Sequence, residues 1–217
     1  MVYKNIDLYC NVEYMECQDE EYLYEFGKKY KRITALFENN RGILCYISKK
    51  IKTEIINKIE YPHLLHFRIA KGNEFSDIIV FRILVSDSSE NDFKDRKNQW
   101  DAVMRHIDIN IKDKSRLIMM GDWNHAYIRD KYIRGIHLQV YFNYQYIKSD
   151  LTKIGMTMGV NIVPGHTEHS YKGYLAIDHI AIGNAFSFIG KPTYSNYDKN
   201  APIGTPDHAF LFAEIHS

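Results

Sequence analysis

The sequence predicts an α+β fold, an α/β sandwich in which two packed, mixed β-sheets are flanked by helices. Short runs with strand character dominate the first third of the 217 residues, and two stretches with helical spacing follow among later strands. Helices inserted between groups of strands favour two packed sheets over a parallel, doubly wound sheet. We detect no repeat, low-complexity tract or flexible linker, so residues 1–217 are interpreted as a single domain.

The predicted strands are short apolar or alternating runs bounded by turn residues. They are Ile6–Val12, Ile33–Glu38, Gly42–Ile47, Glu54–Glu60, Leu64–Ala70, Asp77–Ser86, Leu117–Met120, Leu175–Ile182, Phe186–Thr193 and Ala209–Ile215. The Lys71-Gly72-Asn73 segment between two of them is typical of a hairpin turn.

Two segments have helical periodicity. Residues 90–109 carry apolar side chains mainly on one face, after a Ser88-Ser89 cap and early acidic residues. A second helix is predicted across about 138–155, where Leu138, Phe142, Tyr146 and Leu151 are roughly in phase.

The charge balance gives no global attraction to nucleic acid. Lys and Arg total 28 against 27 Asp and Glu, for a net charge of +1, so such a role would need a local basic patch. Two runs qualify, Lys28–Arg32 and Lys49–Lys52. For each run taken alone, a solvated strand end or loop is the favoured interpretation.

The remaining bulk features indicate an intracellular, reducing compartment. Cys10, Cys17 and Cys45 are odd in number and lack zinc-site spacing, which is typical of reduced thiols. The first residues do not resemble a signal peptide, and no apolar run approaches membrane-spanning length. The sequence suggests neither a membrane partner nor an obligate protein partner.

Polar residues interrupt apolar strands at three places. Leu117–Met120 runs into Gly121-Asp122-Trp123-Asn124, Asp178-His179 stands inside Leu175–Ile182, and Asp207-His208 leads into the last strand. A buried, ionised Asp is costly unless it is paired or bound to a cation. One such Asp could cap a turn, whereas three beside core strands favour a shared site.

The residue types indicate phosphate chemistry. Carboxylates without cysteine ligands suit hard cations such as Mg²⁺ or Mn²⁺, which often bind phosphate oxygens. A histidine beside a carboxylate can act as a general base, and Asn124 offers an amide donor to an oxyanion. Together these groups indicate metal-assisted attack of water on a phosphate ester. A zinc hydrolase is disfavoured because no His-Glu-x-x-His spacing occurs.

These motifs resemble the endonuclease/exonuclease/phosphatase superfamily. Gly121–Asn124, Ile177-Asp178-His179 and Pro206-Asp207-His208 are similar, in order and separation, to its three C-terminal signatures. Upstream, Arg41–Lys49 is similar to the family's glycine-led strand, and Ile6–Glu13 to the strand that ends in its metal-binding Glu. The resemblance covers nearly the whole chain and implies a four-layer αββα sandwich.

The resemblance also implies roles for individual residues. Glu13 and Asp207 would bind the metal, and Asp122 would orient or deprotonate the attacking water. Asn124 would hold the scissile phosphate.

The resemblance also implies roles for His208 and His179. Asp178 would pair with His208, which contacts the phosphate or acts as base. His179 would support substrate binding.

The sequence departs from the family at two points. The family's first strand, which carries an Asn at the site, has no counterpart before Ile6. Where the family commonly has a catalytic His, this chain offers Ser86 or Asp87. Loss of that His removes transition-state stabilisation and would narrow the substrate range or slow turnover.

The first functional interpretation is a Mg²⁺- or Mn²⁺-dependent nuclease that hydrolyses DNA phosphodiester bonds. An alternative is a phosphodiesterase or phosphatase acting on a small phosphorylated molecule or nucleotide. A third is a catalytically degenerate nucleic-acid-binding protein. Metal-dependent turnover would separate the third from the other two, and salt-sensitive DNA binding would separate the first from the second.

Overall fold

The computed structural model describes residues 6–15, 20–38, 41–87, 89–125, 142–160, 176–194 and 208–217. The helices are α1 (Glu20–Lys29), α2 (Glu90–Asn110) and α3 (Tyr144–Lys153). The strands are β1 (Leu8–Met15), β2 (Tyr30–Leu36), β3 (Arg41–Ser48), β4 (Lys52–Ile59), β5 (His63–Lys71), β6 (Glu74–Arg82), β7 (Leu117–Asp122), β8 (Met156–Met158), β9 (Asp178–Gly183), β10 (Ser187–Phe188), β11 (Thr193–Tyr194), β12 (Leu211–Phe212) and β13 (Ile215–His216).

The strands form two main sheets. The larger has six strands in the order β4-β5-β6-β7-β9-β8, and the smaller is an antiparallel sheet in the order β1-β3-β2. Within the larger sheet only β6 and β7 run parallel. Two short ladders, β10-β13 and β11-β12, lie near the end of the chain.

The sheets pack face to face, and helices cover their outer faces. Ile43 and Ile47 of the small sheet share a buried cluster with Phe67, Val80 and Ile118 of the large sheet. The alternate strand residues, such as Ile79 and Phe81, face the other way and pack against helices. Trp100 and Val103 of α2, with Ile147 and Leu151 of α3, complete this second cluster.

Helix α1 completes the fourth layer. Phe26 packs on Tyr46, with ring centroids 4.9 Å apart, in a cluster on the outer face of the small sheet. The predicted sandwich of two sheets flanked by helices is therefore confirmed. No helix in the described ranges is long and apolar enough to cross a membrane.

Several boundaries differ from the sequence prediction. Helix α1 was not predicted, because its tyrosines and Gly27 have modest helix propensity and its packing on Tyr46 is a tertiary contact. The second predicted helix begins at Tyr144, after Asn143 caps it by accepting hydrogen bonds from two backbone N–H groups. Residues 138–141 lie outside the described residues.

Strand β6 ends at Arg82, four residues earlier than predicted. The side chain of Gln99 accepts a hydrogen bond from the Leu84 N–H (2.7 Å) and donates to the Leu84 carbonyl (3.1 Å). These contacts from α2 replace sheet pairing at Leu84 and turn the chain toward the start of α2. The predicted hairpin at Lys71-Gly72-Asn73 is confirmed, with Gly72 at φ 63°.

Candidate active site

Three ionisable residues form a row across the ends of neighbouring strands. Asp122 of β7 lies opposite Arg82 of β6 in the parallel pair and opposite Asp178 of β9 in the antiparallel pair. Strand alternation points all three side chains toward the small sheet, on the same face as Val80 and Ile118. We call Arg82, Asp122 and Asp178 the cross-strand row.

Asp122 and Asn124 hold each other in a tight loop after β7. The Asp122 carboxylate accepts hydrogen bonds from the Asn124 backbone N–H (3.1 Å) and side-chain amide (2.6 Å). The same amide donates to the Ile83 carbonyl at 2.9 Å. Asn124 has φ 44°, in the left-handed region that few non-glycine residues occupy. These contacts tie the loop to both β6 and β7.

The protonation of Asp122 reflects its surroundings. Burial and the nearby Asp178 carboxylate raise the pKa of Asp122 to about 8, against the opposing influence of His208 and Arg82. At neutral pH a proton therefore resides on Asp122 for much of the time, and an additional positive charge near the row would favour its release.

His208 joins the row through Asp178. Its Nδ1 lies 2.7 Å from Oδ2 of Asp178, a distance that fits a hydrogen bond donated by the imidazole. Tyr194 also donates its hydroxyl proton to the Asp178 backbone carbonyl at 2.6 Å. Asp178 is thereby fixed from two sides, and it in turn orients the imidazole.

Glu13 approaches the row from the small sheet. It is the extra residue of a β-bulge between Val12 and Tyr14, and its φ is 71°. Its carboxylate accepts hydrogen bonds from the Arg82 guanidinium and, at 3.4 Å, from Arg41. The bulge thus turns a carboxylate into the space between the two sheets.

The donor chemistry at Glu13 fits a hard cation, because carboxylate oxygens are preferred ligands of Mg²⁺ and Mn²⁺. Asp207, the other predicted ligand, lies outside the described residues. Among the residues that are described, no three His, Cys, Asp or Glu side chains are grouped closely enough to hold a metal ion. Glu13 would therefore need Asp207 or further oxygen donors to complete a cation site.

His179 does not face the row. Alternation along β9 turns it to the helix side, where it is 1% exposed and its Nε2 lies 2.8 Å from Nε2 of His125. Its ring also packs 5.0 Å from Trp123. The predicted substrate contact of His179 is therefore not supported by its placement, which instead links the segments after Asn124 and Asp178.

Ser86 and Asp87 lie just before α2 and contact residues at its start. Ser86 donates hydrogen bonds to Asp92 from its backbone N–H (2.7 Å) and hydroxyl (3.0 Å), and Asp87 accepts from the Ser89 N–H at 2.8 Å. In the described part of the chain, neither Ser86 nor Asp87 makes a hydrogen bond or an ion pair with the cross-strand row. At the positions where the resemblance predicts a catalytic histidine, the side chains thus contact Ser89 and Asp92 at the start of α2.

Two arginines were missed by sequence reasoning. Arg82 stands alone in the apolar run from Ile78 to Leu84, and that interruption was the available signal. Arg96 is buried, pairs with Asp92 and donates from Nη1 to the Asn124 carbonyl at 2.6 Å. Nothing in the local pattern distinguishes Arg96 from a surface helix residue.

Comparison with known proteins identifies the fold of the chain. No family model matches the chain, and no curated protein matches its sequence. Among solved structures, the human Nocturnin catalytic domain with bound sulfate aligns with a TM-score of 0.64 and 13% identity, over 97% of this chain and 80% of that chain. D. rerio TDP2 complexed with single-strand DNA product aligns with a TM-score of 0.58 and 12% identity, over 97% and 86%.

A third solved structure is more distant. The endonuclease domain of TRAS1, a telomere-specific non-LTR retrotransposon, aligns with a TM-score of 0.51 and 9% identity, over 86% of this chain and 76% of that chain. Nocturnin, TDP2 and the TRAS1 domain are members of one superfamily. The architecture they share with this chain shows that it has the endonuclease/exonuclease/phosphatase fold, as the sequence resemblance predicted.

Proposed function

We propose that the protein is a divalent-metal-dependent phosphodiesterase that hydrolyses DNA. The observation that carries this proposal is the cross-strand row, in which Asp122 and Asp178 meet Arg82 beside the Asp178–His208 pair. Together with His208, the row supports this proposal because it offers a carboxylate to orient water, an imidazole held by Asp178 and the positively charged Arg82 side chain. These are the groups that hydrolysis of a phosphate ester requires.

Asp122 is the proposed water-orienting residue. Its carboxylate is held in one orientation by Asn124, so that it can accept a proton from water in a defined direction. Deprotonation of Asp122 is required for this role. His208 and Arg82 already lower its pKa, which is nevertheless about 8, so positive charge brought by the metal cation would supply the further lowering that this role needs.

His208 is the proposed phosphate contact. Because Nδ1 pairs with Asp178, Nε2 is the ring nitrogen assigned to a phosphate oxygen or to the transferred proton. Asn124 would steady the same phosphate by exchanging a hydrogen bond, because both N–H groups of its side-chain amide donate here to protein oxygens, the Ile83 carbonyl and the Asp122 carboxylate. Its backbone is fixed by Arg96, and the side chain is fixed by Ile83 and Asp122.

Mg²⁺ or Mn²⁺, when bound, would supply Lewis-acid stabilisation of the negative charge that develops on the phosphate. Glu13 and Asp207 are the residues proposed to hold it. Glu13 would have to exchange its contacts with Arg82 and Arg41 for the cation. That exchange would release the buried Arg82 guanidinium in the site, and the exposed Arg41 guanidinium to solvent.

DNA is the proposed substrate because of two aligned proteins. TDP2 was crystallised with a single-strand DNA product, and the TRAS1 domain is an endonuclease. The fold itself does not choose a substrate. The choice must therefore be tested directly.

The test is an assay panel with Mg²⁺ or Mn²⁺, covering plasmid, linear duplex DNA, single-stranded DNA, RNA, nucleotides and a generic phosphate diester. We expect DNA cleavage that EDTA abolishes and that added metal restores. His216→Ala, which alters an exposed histidine in β13, serves as the matched control for His208→Ala. Turnover of nucleotides or of the small diester alone would support the small-molecule alternative. DNA binding without turnover would support the degenerate one.

A further inference from the structure

We propose that Arg82 binds the scissile phosphate, and this inference rests on the proposed function of the site. Arg82 ends β6 in the cross-strand row, and its side chain is only 14% exposed. It lies between the Glu13 and Asp122 carboxylates, which come from different sheets. Arg82 is therefore a fixed positive charge at the centre of the proposed reaction site.

The guanidinium has donor capacity beyond the contacts it makes here. Its terminal nitrogen pairs with Glu13, whereas Nε lies 3.7 Å from Oδ2 of Asp122, beyond hydrogen-bond distance. Nε is buried and has no hydrogen-bond partner among the described residues. Leaving a buried donor unpaired is costly, and a phosphate oxygen between the two sheets would satisfy it.

Phosphate is the ligand that this donor arrangement fits. A guanidinium presents a planar fork of N–H groups that matches two phosphate oxygens, and it keeps its charge at any physiological pH. The side chains at positions 86 and 87, where the resemblance places a phosphate-contacting histidine, are tied to the start of α2. Arg82 supplies the missing positive group from the end of β6, four residues before Ser86.

The competing explanation is that Arg82 only neutralises Glu13 and Asp122. Under that explanation, its removal would alter stability and metal affinity but not phosphate affinity. Arg41 provides a matched control, because it also contacts Glu13, at 3.4 Å, but is 51% exposed at the edge of the small sheet. Arg82→Met and Arg41→Met thus remove comparable charges at different depths.

The first measurement is binding of inorganic phosphate in EDTA, followed by ³¹P NMR or calorimetry. We expect Arg82→Met to weaken phosphate binding by at least about tenfold, and Arg41→Met to change it by less than about threefold, as rim charges contribute little. Mn²⁺ binding is measured separately by electron paramagnetic resonance. Unchanged phosphate affinity in Arg82→Met would overturn the proposal.

The second measurement is kcat/KM on the substrate that the assay panel identifies. We expect Arg82→Met to lower it by roughly 10²–10³-fold, the range found when one transition-state donor is removed. In Arg82→Ala, millimolar guanidinium should restore part of the activity, which a purely structural role would not allow. Wild-type kcat/KM in Arg82→Met, or no restoration by guanidinium, would contradict the proposal.

Arg82→Lys covers the case in which the other variants fail to fold. Lysine keeps the positive charge but lacks the planar fork of N–H groups. Phosphate affinity should therefore fall, while the melting temperature stays near that of the wild type. Wild-type phosphate affinity in a folded Arg82→Lys variant would overturn the inference. If the wild type hydrolyses no phosphoester, the proposed function fails. Phosphate binding that depends on Arg82 would still establish the anion site.

Discussion

At the scale of single residues, backbone strain coincides with the predicted chemistry. Among the described residues, only two non-glycine residues have positive φ, Glu13 at 71° and Asn124 at 44°. Such conformations cost on the order of 1–3 kcal/mol each and persist only where the surroundings impose them. Both residues were singled out from the sequence, Glu13 by the family resemblance and Asn124 already by the polar residues that follow an apolar strand. The independent geometry supports a functional reason for their placement.

Asp122→Asn and His208→Ala should each lower turnover by roughly 10²–10⁴-fold, because both remove a proposed proton-handling group. Asp122→Asn should also change the stability of the protein. Since the pKa of Asp122 is raised to about 8 in the fold, above its ordinary value of 3.8, folding of the metal-free protein at pH 7 requires this carboxyl to take up a proton, which lowers the stability. Steady-state rates and melting curves in EDTA would measure both effects.

For Asp122→Asn we therefore expect a melting temperature at pH 7 at or above that of the wild type. Below about pH 4 the carboxyl is protonated in both the folded and the unfolded chain, so the difference should disappear. A folded variant that retains wild-type turnover would show that the carboxylate has no part in catalysis.

The residues of the site were partly predictable. Strand ends that carry Asp or Asn after apolar runs indicated Asp122, Asn124 and Asp178, and the structure brings these together with His208. The placement of His179 could have been predicted, because neighbouring strand residues face opposite sides. Arg82 was not identified because its importance comes from Glu13, which lies on another sheet and far away in sequence.

At the scale of elements, one glycine sets the spacing of β6 and β7. Gly121 has φ 140°, and a Cβ there would lie 1.9 Å from the Phe81 carbonyl oxygen. We expect Gly121→Ala to lower the free energy of unfolding by roughly 2–4 kcal/mol and to shift Asp122, so that turnover falls as well. Denaturant unfolding and steady-state kinetics are the measurements.

Gly27→Ala is the matched control for that substitution. Gly27 lies in α1, and an added Cβ there meets no other atom within 4 Å. Alanine in a helix is favoured over glycine by roughly 0.5–1 kcal/mol, so this variant should be slightly more stable and fully active. Equal stability of the two alanine variants would contradict the close-approach argument.

A second element-scale feature joins α2 to β5 through buried histidines. Nε2 of His106 lies 3.0 Å from Nδ1 of His66, whose Nε2 contacts Asp77 at 2.9 Å. Burial, with a smaller contribution from His66, lowers the pKa of His106 below 6.5. The unfolded chain therefore binds more protons at this position than the fold does, so the contribution of His106 to stability should decline as the pH falls below 6.5, opposite in sign to the contribution of Asp122.

We expect the loss of stability between pH 7.5 and pH 5 to be smaller in His106→Gln than in the wild type. The remaining pH dependence includes His63, whose pKa is also lowered by burial. Melting temperatures at intervals of half a pH unit would measure the difference between the two proteins. Identical pH profiles would show that His106 does not titrate in this range.

At the scale of the whole molecule, the layer order was predictable and the strand order was not. Periodicity indicated most strands and α2, because each buries one face. The parallel pairing of β6 with β7, which aligns Arg82 with Asp122, depends on a crossover through α2. No local pattern encodes that neighbour relation. Equally, the two basic runs could be identified from the sequence, but not their distance from the site.

The structure brings the two basic runs together, away from the cross-strand row. The Lys49 N–H donates to the Lys29 carbonyl at 3.1 Å, where Tyr30 pairs with Ser48. Tyr14, next to Glu13, pairs with Gly42 at the opposite end of β3. Six residues of strand separate these ends, which corresponds to roughly 20 Å. That is about twice the screening length of roughly 8–10 Å at physiological salt.

Replacing Lys28, Lys29, Lys49 and Lys50 with Gln should therefore leave kcat/KM unchanged on a dinucleotide. A dinucleotide has a single phosphodiester bond, which lies at the row during cleavage, so this substrate cannot reach the exposed lysines roughly 20 Å away. On a duplex of about 20 base pairs, the same variant separates two interpretations. An unchanged salt slope identifies the lysines as solvated surface, whereas a flatter slope with unchanged dinucleotide turnover identifies a distal backbone contact. A fall in kcat/KM on the dinucleotide would contradict the layout of site and basic runs at opposite ends of the small sheet.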